Sequence, residues 1–321
     1  MKIAFSPSVY EHASALIHKT PWEVSRDMKL LYKAHRKAYK LYHHSPIVVG
    51  IDIYNLEAEA YGCIVQNPGG NGIPAITKNI FKSLDEAKSL KPFDPQKDGR
   101  ISMIIESGVR LKKEFPDAHV RIPISGPFSI AISLIGYTSL SLGIGLLPHQ
   151  SRDFLMSLVQ GQVRFCQAVV DTGLDVAFFE SAAAPPLLSP MNFKKIELPA
   201  LKETMERVGE VVGHPVPCII GGDTEPILDD ILSTGTGFVI CPAETNQEKF
   251  MKKFGDRSEV KVRINMNPSI VVNGSKDEII AEIDRIIKLA KGRPNILLGT
   301  GAVPYETPPE NILLIKEYPD S

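Results

Sequence analysis

Val49-Gly-Ile-Asp-Ile-Tyr-Asn-Leu-Glu-Ala-Glu-Ala60, running on to Gly62 and Cys63, decides how the rest of the chain is read. The apolar run from Ile47 to Ile51 reads as a buried strand. It empties into Asp52, Tyr54, Asn55, Glu57 and Glu59. A carboxylate buried at the end of a hydrophobic strand costs several kcal/mol unless it is paired, hydrogen-bonded or bound to metal. Barrel and open-sheet enzymes keep their chemistry at the C-terminal ends of parallel strands. Two readings are open for each residue. Asp52 and Asn55 can cap the next helix, with the two glutamates on its solvated first turn, or the group can be a site. Taken as a cluster, the acids favour the site.

Outward from this stretch a rhythm repeats. Apolar, β-branched runs occur at Ile47–Ile53, Val120–Ser125, Val176–Ser181, Val216–Gly221, Gly237–Pro242, Val260–Met266 and Asn295–Gly299. Each ends in small or polar residues and is followed by a helical pattern. Continuous apolar strands alternating with helices argue for a parallel sheet covered on both faces. Ile3-Ala4-Phe5-Ser6 can supply an eighth strand, and eight close a (β/α)8 TIM barrel. The rival, an open doubly wound sheet, lacks its Gly-rich fingerprint after the first strand. Gly69-Gly70-Asn71-Gly72 is a loop signal without the required context. Before the first long run, Tyr10 to Tyr42 reads as helix, with Thr20-Pro21-Trp22-Glu23 as a helix start. His43 and His44 close it, better read as a helix end that favours imidazolium than as a metal pair. Residues 91–100 read as a surface connection. The expectation is one domain over residues 1–321, with residues 1–45 as a helical extension.

Composition narrows the function classes. A chain of 321 residues suits a single barrel, which typically needs ~250. Hydrophobic residues at 43% with 23% charged describe a globular protein with a sizeable core. Net charge is −1 with no long run of one sign, so charge points to neither nucleic acid nor a membrane. No secretory signal follows Met1 and no uninterrupted apolar segment reaches ~18–20 residues; Phe128 to Leu147 comes nearest. The four cysteines lie far apart without a CxxC pair and read as free thiols of a cytoplasmic protein.

Every later strand end carries something. Ser125-Gly126-Pro127 allows close backbone approach at Gly126 and starts a helix at Pro127. Glu180-Ser181 follows Val176-Ala-Phe-Phe179, which points Glu180 into the barrel mouth with a raised pKa, or else makes it a partner of the next loop. Gly221-Gly222-Asp223-Thr224 offers backbone N–H groups to an anion. Cys218 before it is a thiolate ligand or, on base rates, a buried apolar thiol. Asn265-Met-Asn-Pro268 and Gly299-Thr300-Gly301 suit a roomy, polar-lipped pocket.

In this order and spacing the motifs resemble the uroporphyrinogen decarboxylase superfamily over nearly the whole chain. The matching segments are Gly50-Ile-Asp-Ile-Tyr with Glu57-Ala-Glu-Ala-Tyr-Gly-Cys63, Ser125-Gly-Pro-Phe-Ser-Ile-Ala131, and Glu180-Ser-Ala with Leu188-Ser-Pro-Met-Asn-Phe193. Leu198-Pro-Ala-Leu-Lys202, Asn265-Met-Asn-Pro268, Leu298-Gly-Thr-Gly-Ala-Val-Pro304 and Thr307-Pro-Pro-Glu-Asn311 complete them. The resemblance implies a (β/α)8 barrel with its site at the strand C-termini. It also implies one of two activities. The decarboxylases grip porphyrinogen carboxylates with an Arg-Gln-Ala-Gly-Arg motif near the N-terminus, and residues 1–21 here contain no arginine. Asp52 matches their catalytic aspartate. The acidic segment ahead of Gly62-Cys63 is more similar to the methylcobamide-dependent methyltransferase branch.

That branch implies methyl transfer between a small substrate and the cobalt of a corrinoid held by a separate protein docked over the mouth. Asp52, Glu57, Glu59 and Glu180 are then the expected catalytic groups, the glutamates as proton donors or metal ligands. Tyr54 and Asn55 would orient substrate, with Gly126, Ser181, Gly221, Gly222, Asp223, Asn265 and Thr300 completing its pocket. The zinc-bearing members use a His-x-Cys pair and a third Cys in the last Gly-x-Gly. Here those segments read Cys218-Ile-Ile220-Gly-Gly and Gly299-Thr300-Gly301, so the usual three-ligand set is absent and Cys218 is the remaining metal candidate. A homodimer is compatible with the resemblance. The alternatives are a decarboxylase of a small acid and a non-catalytic barrel that binds a corrinoid or other ligand.

Overall fold

All seven apolar runs form strands, and Ala4–Phe5 forms one more. The computed structural model describes residues 3–320. In chain order the strands are β1 (Ala4–Phe5), β2 (Ile47–Val48), β3 (Ile64–Gln66), β4 (Ala75–Lys78), β5 (Val120–Ser125), β6 (Asp175–Glu180), β7 (Cys218–Ile220), β8 (Phe238–Cys241), β9 (Lys261–Asn265) and β10 (Ile296–Gly299). Apart from the antiparallel β3–β4 hairpin, the ladders are parallel and run β2-β5-β6-β7 and β1-β10-β9-β8. These two halves make the (β/α)8 barrel.

The pleat sorts side chains between two layers. On β6, Ala177 and Phe179 face inward with Val48, Ile53, Ile219 and Tyr10, a small inner core. Val176 and Phe178 face outward into the large core between strands and helices. Period-2 alternation therefore assigns Glu180, two residues after Phe178, to the outer layer.

The segment before β2 is helical, but broken into three pieces: Glu11–Ala15, Pro21–Ser25 and Met28–Tyr42. Thr20 and Glu23 form the expected capping box, with Glu23 N–H donating to Thr20 Oγ1 at 3.2 Å and Thr20 N–H to Glu23 Oε2 at 3.0 Å. Asp27 then caps the third piece through Lys29 N–H at 2.7 Å. Ala4–Phe5 pairs with Leu297–Leu298, so residues 1–45 are not only an extension: they supply a strand of the barrel wall. His44 is buried, and desolvation pushes its pKa down to about 3, so it is neutral rather than the imidazolium expected at a helix end. Phe128–Leu147 becomes two helices, Pro127–Ile135 and Tyr137–Leu146, bent by 111° at Gly136. No single helix among the described residues is long and apolar enough to cross a membrane.

Between β7 and β8, where the halves meet, a side chain replaces ladder bonds. Thr236 Oγ1 accepts from Cys218 N–H at 3.1 Å and Phe238 N–H at 3.2 Å, and reaches Val216 O at 2.8 Å. Thr236 is 3% exposed, so its loss leaves these backbone groups without water to replace it. Thr236→Val, isosteric but unable to bond, should destabilise the protein by about 1–3 kcal/mol in urea unfolding. An unchanged midpoint would show that the seam does not depend on this hydroxyl.

Candidate functional site

At the C-terminal end of the strands a cavity of about 280 Å³ opens along the barrel axis. Its polar lining comprises Ser8, Tyr10, Glu11, Asp52, Tyr54, Glu244, Arg263 and Asn265, over apolar Ile53, Phe179, Ile219 and Ile240. The β3–β4 hairpin leans over it. Residues 67–74, with Gly69-Gly70-Asn71-Gly72 at the tip, form the turn, and Ile73 behind the tip lines the cavity.

Of the four acids expected to do chemistry, Asp52 alone lines this space. It is held in a bidentate ion pair by Arg100, whose Nη1 lies 2.7 Å from Oδ1 and whose Nη2 meets Oδ2. The same guanidinium donates through Nε to Glu59 Oε2 at 2.7 Å, and Arg26 pairs with the other oxygen of Glu59. Arg100 is 7% exposed. Residues 91–100 are thus not simply a surface connection: their last residue is the buried cation of a four-residue ion cluster. The costly acids at the head of the helix are in large part the counter-charges of two arginines.

Glu57 lies behind the strand rather than in the mouth. It accepts from Ser125 N–H at 2.6 Å, Ser125 Oγ at 2.8 Å and Gln162 Nε2 at 3.1 Å, tying Leu56–Ala60 to β5 and to the long helix Pro148–Val170. Desolvation raises its pKa against those bonds.

Glu180 faces the helix layer, as the pleat requires, and not the mouth. It accepts from Phe128 N–H at 3.2 Å, Ser129 N–H at 2.8 Å and the Ser129 hydroxyl, at the positive N-terminus of helix Pro127–Ile135. Gly126 is what admits it: a Cβ there would lie 1.7 Å from Glu180 Oε2. Beside it sits Glu197, fully buried on a π-helical turn, Phe193–Glu197. Burial raises both carboxyls and their mutual repulsion raises Glu197 further, so the pair holds a proton. Cys218 is 1% exposed and shares this outer layer; burial, then Glu180 and Glu197, push its thiol up, the opposite of what a thiolate ligand needs. The sequence reading of Glu180 as a mouth residue counted the strand's end but not its pleat, whereas Cys218 takes the buried-thiol alternative of its two readings. All four cysteines are free and buried. Among the described residues no group of three or more His, Cys, Asp or Glu converges on a common point, so the donor set here does not fit zinc.

The expected binding residues divide in the same way. Tyr54, Gly221 and Asn265 line the cavity. Asn55 braces the hairpin, donating to Pro74 O at 2.7 Å and Asp52 Oδ2 at 3.1 Å. Ser181 donates its N–H to Ser129 Oγ at 3.0 Å. Gly222 adopts φ +86°, and the Asp223 amide expected to be free for an anion donates to Pro185 O at 3.2 Å, while its carboxylate accepts from Thr245 at 2.7 Å. Thr300 is buried and bonds the Gly301 carbonyl at 2.8 Å; Gly301 takes its place in the lining.

Tyr10, Glu11 and Arg263 were not singled out by the sequence. Tyr10 and Glu11 come from the start of the first helix, read there as ordinary helix. Arg263 did leave a signal: it is an arginine inside an otherwise apolar strand, on the same face as Asn265. Glu11 is 7% exposed, and desolvation, with a smaller contribution from Glu306, raises its pKa to about 7. A carboxyl poised there exchanges a proton near neutrality.

A (β/α)8 barrel with its polar cavity at the strand C-termini defines a class of barrel enzyme, and its relatives define the family. The family model for uroporphyrinogen decarboxylase (URO-D) matches residues 8–318, and the chain belongs to that family. It is 25% identical over 248 residues, 74% of this chain and 69% of the relative, to the methylcobamide:CoM methyltransferase MtbA of Methanosarcina acetivorans. It is 24% identical over 245 residues to chloroplastic uroporphyrinogen decarboxylase 2 of Arabidopsis thaliana, covering 73% of this chain and 60% of that protein. A solved methyltransferase from Methanosarcina mazei superposes with a TM-score of 0.86 at 20% identity, covering 99% of this chain and 94% of its own. At that identity the likeness establishes the barrel fold.

Arg100→Met should cost about 3–5 kcal/mol in chemical denaturation, because it strands Asp52 and half of Glu59 as buried charges; a loss under about 1 kcal/mol would mean the cluster is solvated. Glu11 gives a second expectation. Its folded pKa, about 7, lies above the ordinary 4.5, so the folded state favours the protonated form. The stability this adds is full below pH ~4.5 and is lost as pH rises to about 7. Glu11→Gln should remove that slope from thermal unfolding measured across the window; an unchanged slope would show that Glu11 titrates normally.

Proposed function

We propose that this protein is a methyltransferase of a corrinoid-dependent pathway, moving a methyl group between a small substrate in the mouth cavity and the cobalt of a corrinoid on a separate docked protein. The observation that supports it most directly is the pairing of a proton-exchanging acid, Glu11, with the orienting groups Tyr54 and Asn265 in one cavity of a URO-D family barrel. The named methyltransferase relatives support the choice of branch. The missing arginine-rich N-terminal motif argues against a porphyrinogen as substrate.

When its carrier docks, the corrinoid supplies either the nucleophile that takes the methyl group or the methyl group itself. The chain's own task is at the other atom. In demethylation the O, N or S atom that loses its methyl group gains electron density, and Glu11 in its protonated form can deliver a proton there. In the reverse direction the Glu11 carboxylate removes the proton from the acceptor. Tyr54 and Asn265 hold the substrate, and Asp52, already neutralised by Arg100, contributes position rather than net charge. Ile73 on the hairpin helps exclude water.

A second reading, decarboxylation of a small acid, is favoured by one observation: Asp52 does line the cavity. Anaerobic absorbance spectroscopy separates the two. Free cob(I)alamin with methoxylated, methylamine and methylthio compounds, or methylcobalamin with thiols, should change cobalt state only when the protein is present. Glu11→Gln should slow that conversion by ~10²-fold or more; an equal rate would remove Glu11 from the proton-transfer role. Carbon dioxide release without any cobalt conversion would establish the decarboxylase instead.

A further inference from the structure

We propose that Arg263 anchors a negatively charged group, in the simplest case a carboxylate, on the small molecule that occupies the mouth cavity. This deepens the methyl-transfer reading only in taking the same cavity as the substrate site.

Arg263 projects from β9 into the barrel and is 5% exposed. It forms no ion pair with any described acid, unlike buried Arg100 and half-buried Arg121. Arg100 has Asp52 and Glu59, and Arg121, deeper in the same barrel, has Asp175 at 2.8 Å. Instead Arg263 donates through Nε to Asn265 Oδ1 at 3.1 Å and through Nη1 to Ser8 Oγ at 2.9 Å. Both partners are neutral, Nη2 is left without a partner among the described residues, and the residue lines the cavity. An uncompensated buried cation costs several kcal/mol. A fold that keeps one where a ligand can enter places the missing counter-charge on the ligand.

The seat for the guanidinium is built. A Cβ on Gly299 would fall 2.6 Å from Cγ and Cδ of Arg263 and 2.5 Å from Asn265 Oδ1, so only glycine lets the side chain lie across β10. Its planar fork, held at two nitrogens, presents the geometry that carboxylates match. Tyr10 and Tyr54 lie near enough to interact with its charge, and as phenols both are protonated donors at neutral pH. The two tyrosines meet Phe179 edge-on, at 6.3 and 6.2 Å between ring centroids. These three rings offer an apolar wall for the body of the molecule. Glu11 and Glu244 line the same cavity and oppose a second negative charge. The occupant is thus a small monoanion with an apolar body, seated charge-first.

Isothermal titration of the full chain with benzoate and 3-methoxybenzoate, each against its neutral amide, tests this without any corrinoid. The wild type should bind each acid about tenfold or more tightly than the amide, as a charge-assisted bond predicts. Arg263→Gln should abolish that preference. Arg263→Lys, which keeps the charge and loses the fork, should retain a reduced preference and serves if the glutamine variant does not fold. Equal affinity for acid and amide, an undiminished preference in the variants, or no binding of either acid at millimolar concentration would overturn the assignment. Because the readout is binding, its failure is distinct from a failure to transfer methyl groups.

Discussion

A carboxylate at the end of a buried strand has to meet a cation, and here Asp52 meets Arg100. That pair joins the end of β2 to the helix Ile101–Glu114, and through Glu59 and Arg26 it also joins the helices Leu56–Ala60 and Pro21–Ser25. The rim of the barrel is set by this cluster. Asn55, bonded to Asp52, passes the constraint to Pro74 in the hairpin above the cavity. Glu57 does the same for β5 through Ser125 and Gln162. Acids that look catalytic in one dimension are used to fix the shape of the mouth.

Two buried charged groups of the mouth are not closed by ion pairs among the described residues: Glu11, whose pKa burial pushes up to about 7, and Arg263, a cation balanced by neutral groups alone. These two share a cavity with Tyr10, Tyr54 and Phe179. Satisfied polar groups mostly stabilise a fold, whereas unsatisfied ones are kept where something else completes them. The contrast between Arg100 and Arg263 is the clearest case. Each is buried, but one is closed by two carboxylates and the other opens on a cavity.

The outer layer carries a second concentration of buried charge, with Glu180 and Glu197 side by side next to Cys218. Its geometry belongs to the packing of helices on the sheet. Glu180 neutralises the N-terminus of Pro127–Ile135 in the space Gly126 leaves open. The chain is about equally distant from the named methyltransferase, at 25% identity, and the named decarboxylase, at 24%, so the fold alone does not choose between their activities.

The sequence by itself determined a parallel α/β sheet: seven apolar runs with polar ends and intervening helical patterns, with Ile3-Ala4-Phe5-Ser6 as a candidate eighth, make strands buried on both faces that helices have to cover. Closure into a barrel was what the family resemblance implied and the missing dinucleotide fingerprint favoured, and the two parallel four-stranded ladders bear it out. It also determined the helix start at Thr20 and Glu23, whose partners are three residues apart, and it located Tyr54, Gly221 and Asn265 at strand ends that do line the cavity. Only the tertiary structure decided which charges were spent. Arg100 lies 48 residues beyond Asp52, and Ser8 lies 255 residues before Arg263. Pairing across such distances is set by the register of the closed barrel and leaves no local pattern. The pleat then assigned Glu180 and Cys218 to the helix layer and Arg263 to the axis, since a shift of one residue along a strand moves a side chain from one face to the other.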